Sequence, residues 1–374
     1  MNSLELLLSR LFLRAWWLLF RLLPLDGQKV VFASARAGQL EGNLLYIDRA
    51  LARERPDLKR VHLPARYGYS LSDKVRYLLH LVRGTYHLAT SRFFIVDNAY
   101  LPVHVLPHRA GTTVIQVWHA MGALKRFGLD VESERRPVES GFLHKNYDYV
   151  IVGSETAVGP YASALRTGPD RVVPLGCART DFFFDETAMR HAGEHIAARH
   201  PELSGRSVVL YAPTFRGAGQ EKHSARLLDL ERMVSLLPAD HVLLYKRHPV
   251  LGPSGRAPVP GVVYADPAFD LNELFCVADV LVTDYSSAIF EYALLRKPLV
   301  LLVPDLDEYE RDPGLYLDYR SEMIGEQVTT TDEVARVIAS GRYDMSGYDH
   351  FIALHAGLAD GRASERFVRF LESL

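Results

Sequence analysis

The sequence predicts an α/β protein with two doubly wound domains, each built on a parallel sheet that is covered by helices. Short apolar, β-branched runs that do not alternate strictly with polar residues recur along the chain, and helix-like segments separate them. Such runs are typical of strands that are buried on both faces. The length of 374 residues is sufficient for two domains, each with its own core. We expect ligands to bind beyond the carboxyl ends of the strands, in a cleft that the two sheets face.

Composition narrows the class of protein. The net charge of -2 gives no overall basic field, so nucleic acid is not an expected partner. The two cysteines, Cys177 and Cys276, lie far apart in sequence and predict neither a zinc knuckle nor a disulfide framework. A reducing, cytoplasmic compartment fits this cysteine usage.

The first predicted element, residues 1–26, is an amphipathic helix. Its stretch "MNSLELLLSRLFLRAWWLLFRLLP" is rich in leucine and tryptophan, and Arg10, Arg14 and Arg21 fall within about 40° of one another on a helical wheel. Arginines inside the apolar stretch disfavour a spanning helix and a signal peptide. We expect a helix in the membrane interface, so that the protein is peripheral to the cytoplasmic face of the membrane. The alternative is a helix that packs on the chain's own second domain.

The strand-like runs fall into two series. The N-terminal domain, residues 27–190, contains "KVVFASA", "FFIVDN", "TTVIQVWHA" and "YDYVIVGS". The C-terminal domain, residues 205–345, contains "SVVLYAPT", "HVLLYKRHP", "DVLVTDYSS" and "PLVLLVPD". We expect helices at the C-terminus, residues 346–374, and the final helix, "GRASERFVRFLESL", could pack on either domain.

Polar residues at the strand ends are the candidate site residues. His119 and His248 follow apolar strands of the two domains, and an imidazole with an ordinary pKa of about 6.5 suits proton removal at neutral pH. A satisfied structural histidine is the alternative for each. Arg247, beside His248, adds positive charge.

The "TDYSS" segment predicts a phosphate site. Asp284 ends a strand, and Ser286 or Ser287 can cap a helix whose amides and positive dipole end favour an anion. Thr214 and Arg216 in "APTFRG" add polar groups; helix capping without a ligand is the alternative. The pair Asp305 and Asp307 in "DLD" resembles a metal-diphosphate motif, but such pairs are common, and we expect no metal. Phosphate-loop, serine-elbow and zinc-protease motifs do not occur, and "EGN" and "GCA" are not dinucleotide fingerprints.

Five motifs together resemble the CDP-glycerol glycerophosphotransferases of wall teichoic acid synthesis. They are "VWHAMGALKRFG", "GCARTDFFF", "VLYAPTFR", "KRHP" and "VLVTDYSSAIFEYALLRKPLVLLVPDLDEY", in order between residues 28 and 320. The resemblance implies the GT-B fold, in which an N-terminal Rossmann-like domain takes the acceptor and a C-terminal one binds CDP-glycerol. It also implies no metal or other cofactor and a place on the cytoplasmic membrane face.

The same resemblance implies residue roles. His119 would be the catalytic base, His248 would act on the donor phosphate, and Ser286 and Ser287 would bind the CDP diphosphate. The remaining substrate-binding candidates are Lys125, Arg179, Thr214, Arg216, Arg247 and Asp284.

One departure bears on the reaction. Many polymerising members read "WHGTPLKK" where this chain reads "WHAMGALKR", with Ala120, Gly122 and Ala123. This version favours a primase, which transfers glycerol phosphate from CDP-glycerol to an undecaprenyl-diphosphate disaccharide and releases CMP. A poly(glycerol phosphate) or ribitol phosphate polymerase, a capsule acceptor, and a GT-B glycosyltransferase or epimerase using a nucleotide sugar stay open. A non-catalytic membrane scaffold is disfavoured, because it gives no reason for polar strand ends in both domains.

Overall fold

The computed structural model describes residues 3–66, 70–131, 141–217, 223–224, 227–248, 251 and 257–374. The chain divides into two compact units. The first comprises Met1–Gly122, Phe127–Asp181 and Leu358–Leu374, and the second comprises Ala123–Arg126 and Phe182–Gly357.

The first unit is built on a parallel six-stranded sheet. Its strands are β1 (Asp26–Ser34), β2 (Lys59–Pro64), β3 (Ser91–Val96), β4 (Thr113–Gln116), β5 (Tyr149–Val152) and β6 (Val172–Pro174). Their order across the sheet is β2-β1-β3-β4-β5-β6. The chain therefore turns from one side of β1 to the other between β2 and β3, which makes the β1/β3 boundary the switch point of this sheet.

The helices that precede or lie between these strands in the described part of the unit are α1 (Ser3–Phe20), α2 (Gly42–Glu54), α3 (Leu71–Thr90), α4 (Leu101–Val105) and α5 (Val158–Leu165). The long connections between parallel strands are the reason why helices alternate with strands here. α2 lies over one face of the sheet, where Leu44 and Leu51 join Val30 and Phe32 in a buried apolar cluster.

The second unit repeats the plan. Its parallel sheet contains β7 (Ser207–Tyr211), β10 (His241–Tyr245), β11 (Val262–Tyr264), β12 (Val280–Thr283), β13 (Leu299–Leu302) and β14 (Glu326–Val328). The order is β11-β10-β7-β12-β13-β14, so the switch point lies between β7 and β12. A small antiparallel pair, β8 (Phe215–Arg216) and β9 (His223–Ser224), follows β7.

The helices of the second unit connect its strands and cover its sheet. In chain order they are α6 (Glu186–Arg199), α7 (Leu230–Leu236), α8 (Leu271–Val277), α9 (Ala288–Ala293), α10 (Leu306–Arg311), α11 (Tyr319–Glu322), α12 (Thr331–Ser340) and α13 (Tyr348–Ala356).

The last helix, α14 (Ala363–Glu372), returns to the first unit and packs on α2. Its first turn is capped by the Asp181 carboxylate, which accepts hydrogen bonds from the backbone N–H of Ala363 at 2.9 Å and of Ser364 at 2.8 Å. The Arg366 guanidinium donates to the carbonyl of Leu175 at 2.7 Å. Asp181, in the "RTDF" motif, thus anchors the end of the chain, which answers a question that the sequence left open.

The N-terminal segment forms the helix α1, Ser3–Phe20, which packs on α3 of the same unit. Leu13 is fully buried and Trp17 nearly so, whereas Leu7, Leu8 and Leu11 are exposed. No described helix is long and apolar enough to cross a bilayer.

Candidate active site

His119 follows a turn with unusual backbone geometry. β4 ends at Gln116, and Trp118 adopts a φ of 45°, a left-handed conformation that costs a bulky residue on the order of 1–3 kcal/mol. The buried Gln116 side chain braces the turn, because its Oε1 accepts from the Trp118 N–H at 2.9 Å and its Nε2 donates to the Asn98 carbonyl at 3.2 Å. This turn fixes the direction in which His119 leaves the strand.

The contact of His119 with Asp97 indicates the tautomer of its imidazole. Its Nδ1 lies 3.3 Å from the backbone carbonyl oxygen of Asp97. A carbonyl can only accept, so Nδ1 carries the hydrogen and Nε2 carries the lone pair of the neutral ring. The ring also stacks on Trp118, with centroids 4.7 Å apart. The side chain can therefore take up a proton at Nε2 without changing its contact with Asp97.

Asp97 is a site residue that the sequence interpretation missed. It directly follows β3 at the switch point, is 5% exposed, and its Oδ1 accepts no hydrogen bond from the described residues. Burial raises the pKa of its carboxyl, and the Arg36 charge and the Ser34 hydroxyl counter that rise only in part. An aspartate after "FFIV" was a visible signal, since the same strand-end criterion selected Asp284.

Arg179 lies in a 3-10 segment, Ala178–Phe184, after β6. Its backbone N–H donates to Oδ1 of Asn43 at 3.1 Å, and Asn43 also donates to the carbonyls of Val117 and Trp118. Asn43 thus links the His119 turn to the Arg179 segment within the first unit. Sequence reasoning did not select this residue.

In the second unit, Thr214 and Asp284 meet across the switch point. Asp284 is 1% exposed. Its Oδ1 accepts from the Thr214 N–H at 2.8 Å, and its Oδ2 accepts from the Thr214 hydroxyl at 2.8 Å and from Arg216 Nη1 at 2.9 Å. Thr214, Arg216 and Asp284 lie close together, as the sequence predicts, and their polar groups are hydrogen-bonded to one another.

Arg216 joins this group to a second carboxylate. Its Nε donates to Asp305 Oδ2 at 2.9 Å, and its guanidinium carbon lies 5.1 Å and 4.9 Å from the ring centroids of Tyr285 and Tyr309. Burial opposes ionisation, but the charges of Asp284 and Asp305 hold the pKa of Arg216 above its ordinary value. Arg216 is thus the counterion of two carboxylates in this structure, and its substrate-binding role stays a prediction.

Asp305, from the "DLD" motif, has protein partners. Besides Arg216, its Oδ1 accepts from the Tyr285 hydroxyl at 3.0 Å. Burial works against the charged form, but Arg216 and Tyr285 together hold the pKa of Asp305 below its ordinary value. No group of three or more His, Cys, Asp or Glu side chains in the described part of the chain is placed to hold a metal ion.

Lys125 and His248 share Phe215 as a neighbour. The Lys125 ammonium lies 5.3 Å from the centroid of the Phe215 ring, and the His248 ring meets the same ring edge-to-face at 4.9 Å. Lys125 belongs to the second unit because its segment pairs with residues 314–316: Arg126 N–H donates to the Gly314 carbonyl at 2.9 Å. Phe215, which sequence reasoning passed over inside "APTFRG", thus brings two candidate residues together.

The basic residues before His248 differ in their surroundings. Lys246 is buried and donates to the carbonyls of Asp266, Pro267 and Phe269, so its charge holds a loop, and burial lowers its pKa. Arg247 donates to the Leu251 carbonyl at 3.3 Å.

The two serines of "TDYSS" are also not equivalent. The Ser286 hydroxyl accepts from the Ala288 N–H at 3.2 Å, at the start of α9. Ser287 occupies the N-cap position and makes no side-chain cap bond. Capping is therefore the work of Ser286.

Comparison with solved structures identifies the fold class of the protein. The fold is similar over 100% of this chain to 97% of the chain in a solved structure of the wall teichoic acid polymerase TagF, with a TM-score of 0.75 and 20% identity. Two parallel six-stranded sheets make this a GT-B-like α/β protein.

Residues 16–373 match the family described as CDP-Glycerol:Poly(glycerophosphate) glycerophosphotransferase, and the chain belongs to this family of teichoic acid synthesis enzymes. It is 34% identical over 368 residues to the teichoic acid ribitol-phosphate primase of Bacillus spizizenii, covering 96% of this chain and 94% of that protein. It is 28% identical to the teichoic acid glycerol-phosphate primase of Bacillus subtilis, covering 89% of this chain and 84% of that protein.

Proposed function

We propose that this protein transfers glycerol phosphate from CDP-glycerol to a hydroxyl of an undecaprenyl-diphosphate disaccharide, as the priming step of wall teichoic acid synthesis. The observation that carries the proposal is His119, whose Nδ1 is committed to the Asp97 carbonyl so that Nε2 is the proton acceptor. Family membership supplies the reaction class.

The chemistry assigns each atom. The acceptor oxygen attacks the phosphorus that bears glycerol, a new P–O bond forms, and the P–O bond to CMP breaks. The acceptor proton passes to His119 Nε2, and CMP leaves with the bridging oxygen. In the second unit, His248 and the ammonium of Lys125, which flank Phe215, supply polar and positive groups for the donor phosphates. Ser286 and Ser287 contact the diphosphate in this proposal, on the arrangement that the "TDYSS" resemblance implies.

A second candidate donor is CDP-ribitol, because the identity to a ribitol-phosphate primase, 34%, exceeds the 28% to a glycerol-phosphate primase. Both donors present the same diphosphate and differ in the length of the polyol. Discrimination therefore rests on groups around the polyol rather than on the strand-end residues described above.

The test is a transfer assay with a synthetic undecaprenyl-diphosphate disaccharide and either CDP-glycerol, CDP-ribitol or a UDP-sugar. We expect CMP release that depends on the acceptor and a product heavier by one alditol phosphate. A ladder of additions identifies a polymerase. Transfer from CDP-ribitol alone replaces the first donor by the second, and UDP release with no CMP release contradicts the proposal.

We also propose that the protein binds the cytoplasmic membrane surface through one side of α1 and α3, here called the α1/α3 face. Phe20 of α1 contacts Tyr86 of α3 edge-to-face at 5.4 Å. Exposed apolar side chains lie on both helices: Leu7, Leu8, Leu11, Phe12, Trp16, Leu18, Leu19, Val75, Leu78, Leu79 and Tyr86. Exposed arginines and lysines accompany them: Arg10, Arg14, Arg21, Lys74, Arg76 and Arg83. Apolar area beside basic charge suits an anionic lipid surface.

Because Leu13 and Trp17 are buried, deleting α1 would damage the first unit, so point substitutions are the better test. Replacing Arg10, Arg14 and Arg21 by glutamate should weaken binding to phosphatidylglycerol vesicles by about 100-fold or more, since each basic residue contributes about 1 kcal/mol. A Leu7, Leu8 and Leu11 to serine variant should also lose binding, whereas Leu354→Ser, at an exposed leucine of α13, should not. Cosedimentation of both α1 variants at the wild-type level would contradict this attachment.

A further inference from the structure

The segment "EGN", residues 41–43, lies at the start of α2 and does not match a dinucleotide-binding motif. Gly42 adopts a φ of 51°, which favours glycine, and Glu41 makes no side-chain cap bond at the start of the helix. Asn43, the next residue, is 4% exposed. A polar side chain buried to this extent needs partners, and those partners show what the segment does.

Asn43 uses its amide completely. Nδ2 donates to the carbonyl of Val117 at 2.9 Å and to that of Trp118 at 3.1 Å. Oδ1 accepts from the backbone N–H of Arg179 at 3.1 Å and from the thiol of Cys177 at 3.2 Å. Two donors and two acceptor positions are the whole capacity of an asparagine side chain.

These bonds join three separate parts of the first unit: the start of α2, the turn before His119 and the segment that carries Arg179. The turn is the part that needs support, because the left-handed conformation of Trp118 persists only where its surroundings fix it. Asn43 holds the carbonyl side of that residue, and Gln116 holds its N–H.

We propose that Asn43 is a positioning residue that fixes the Trp118 turn and thereby directs His119 Nδ1 to the Asp97 carbonyl. The proposal rests on the proposed function, in which His119 is the base. Asn43 acts through His119 and has no contact with substrate in this account. The same amide places the Arg179 segment beside the turn.

Only an amide suits this position. Aspartate has nearly the same shape, but its oxygen in place of Nδ2 would face the carbonyl oxygens of Val117 and Trp118 with no hydrogen to share. Alanine would remove all four bonds. Either change lets the turn relax, and catalysis is sensitive to displacements on the order of 1 Å in a reacting group.

The experiment compares Asn43→Asp and Asn43→Ala with Asn146→Asp. Asn146 is the control in the same unit: it is more exposed than Asn43, but its Nδ2 also donates to two backbone carbonyls, those of Val103 at 3.0 Å and Leu106 at 2.9 Å. We expect both Asn43 variants to lose about 10- to 100-fold in kcat, with KM for CDP-glycerol within about twofold of wild type, and the control to keep its kcat. A rise in donor KM with unchanged kcat would overturn the proposal.

A double-mutant cycle separates positioning from a general loss of structure. In a His119→Asn background, Asn43→Asp should lower the residual rate by less than twofold, because the group through which it acts is gone. Loss by the full single-mutant factor in that background would overturn the proposal. If His119→Asn alone retains the wild-type rate, the proposed base is wrong, and this result is distinct from either outcome for Asn43. Should Asn43→Ala fail to fold, the kcat and KM of the isosteric Asn43→Asp decide.

Discussion

Each unit places an aspartate at the switch point of its sheet, and the two aspartates are bound in different ways. Asp284 receives three hydrogen bonds, from the backbone and hydroxyl of Thr214 and from Arg216. Asp97 has a carboxylate oxygen with no partner among the described residues, and it is its backbone carbonyl that meets His119. The switch-point residues of the second unit are thus joined by ion pairs, whereas the His119 turn of the first unit is held by amide and carbonyl groups.

This difference matches the work that we propose for each region. A base changes its charge in every turnover, and a scaffold of neutral hydrogen bonds accepts that change without breaking an ion pair. A donor-binding loop has to keep one conformation, and a buried arginine between two carboxylates provides that. The contrast predicts that the two regions respond differently to substitution and to acid.

The largest effect should follow from removing the proposed base. His119→Asn, which keeps a polar side chain of similar size, should lower kcat by about 10²- to 10⁴-fold, because the asparagine amide cannot act as a general base. CDP-glycerol binding, measured by calorimetry, and the thermal midpoint should stay close to wild type. A variant with near-normal turnover would show that His119 is only a structural neighbour of Trp118.

The inner strands of both sheets were predictable from the sequence, and the edge strands were not. All eight strand-like runs contain a strand. The short pair β8 and β9 was missed, and so were β2, β6, β11 and β14, which are the edge strands of the two six-stranded sheets. An edge strand is covered less completely, as in β2, where Lys59 and Arg60 are exposed, so the continuous apolar run that marks an inner strand is absent.

The site residues fall into those that the sequence could indicate and those that only the folded chain brings together. Strand-end residues such as His119 and Asp284 could be selected because a parallel sheet aligns its carboxyl ends. The pairing of Arg216 with Asp305 could not be predicted, because Asp305 lies 89 positions away and only the folded sheet brings it to the guanidinium. Asn43 was hidden for a similar reason, since its four bonds reach residues 74 to 136 positions away.

The next effect concerns stability, and it tests whether the second unit depends on ion pairs. Arg216→Met leaves the buried Asp284 and the half-buried Asp305 without their cation and should cost about 3–5 kcal/mol in the free energy of unfolding. Gln116→Met, which removes the neutral brace of the first unit, should cost about 1–3 kcal/mol. Urea unfolding measures both, and equal costs would remove the distinction between the two regions.

A smaller effect concerns the affinity for the donor, which we expect to depend on serines of the second unit and not on a comparable serine of the first. Ser34 and Ser286 make the same local bond, accepting from the N–H two residues ahead at 3.2 Å in both cases. Ser286→Ala with Ser287→Ala should raise KM for CDP-glycerol by about 10-fold or more, because a hydrogen bond to a charged group contributes about 1.5–3 kcal/mol. Ser34→Ala loses the same backbone contact and should leave donor KM unchanged. An unaltered donor KM in the folded double variant would reduce Ser286 to a capping residue.

The smallest effect, and the most specific, is the response of Asp97 and of Asp305, the second carboxylate beside Arg216, to acid. The pKa of Asp305 is lowered from 3.8 by Arg216 and Tyr285 against the opposing effect of burial, so its contribution to stability is present above pH 3.8 and is lost as the pH falls below that value. The pKa of Asp97 is raised from 3.8 by burial, so its ionisation opposes folding at neutral pH, and protonation relieves that penalty as the pH falls toward 3.8. Urea unfolding between pH 7 and pH 3 measures how the free energy of unfolding of Asp305→Asn and of Asp97→Asn differs from that of wild type. We expect both differences to shrink as the pH falls. Asp305→Asn should be less stable than wild type at pH 7, and Asp97→Asn should be at least as stable. If Asp97→Asn is instead destabilised at pH 7 as strongly as Asp305→Asn, the carboxylate of Asp97 is as well compensated as that of Asp305, and the contrast between a charged and a neutral scaffold does not hold.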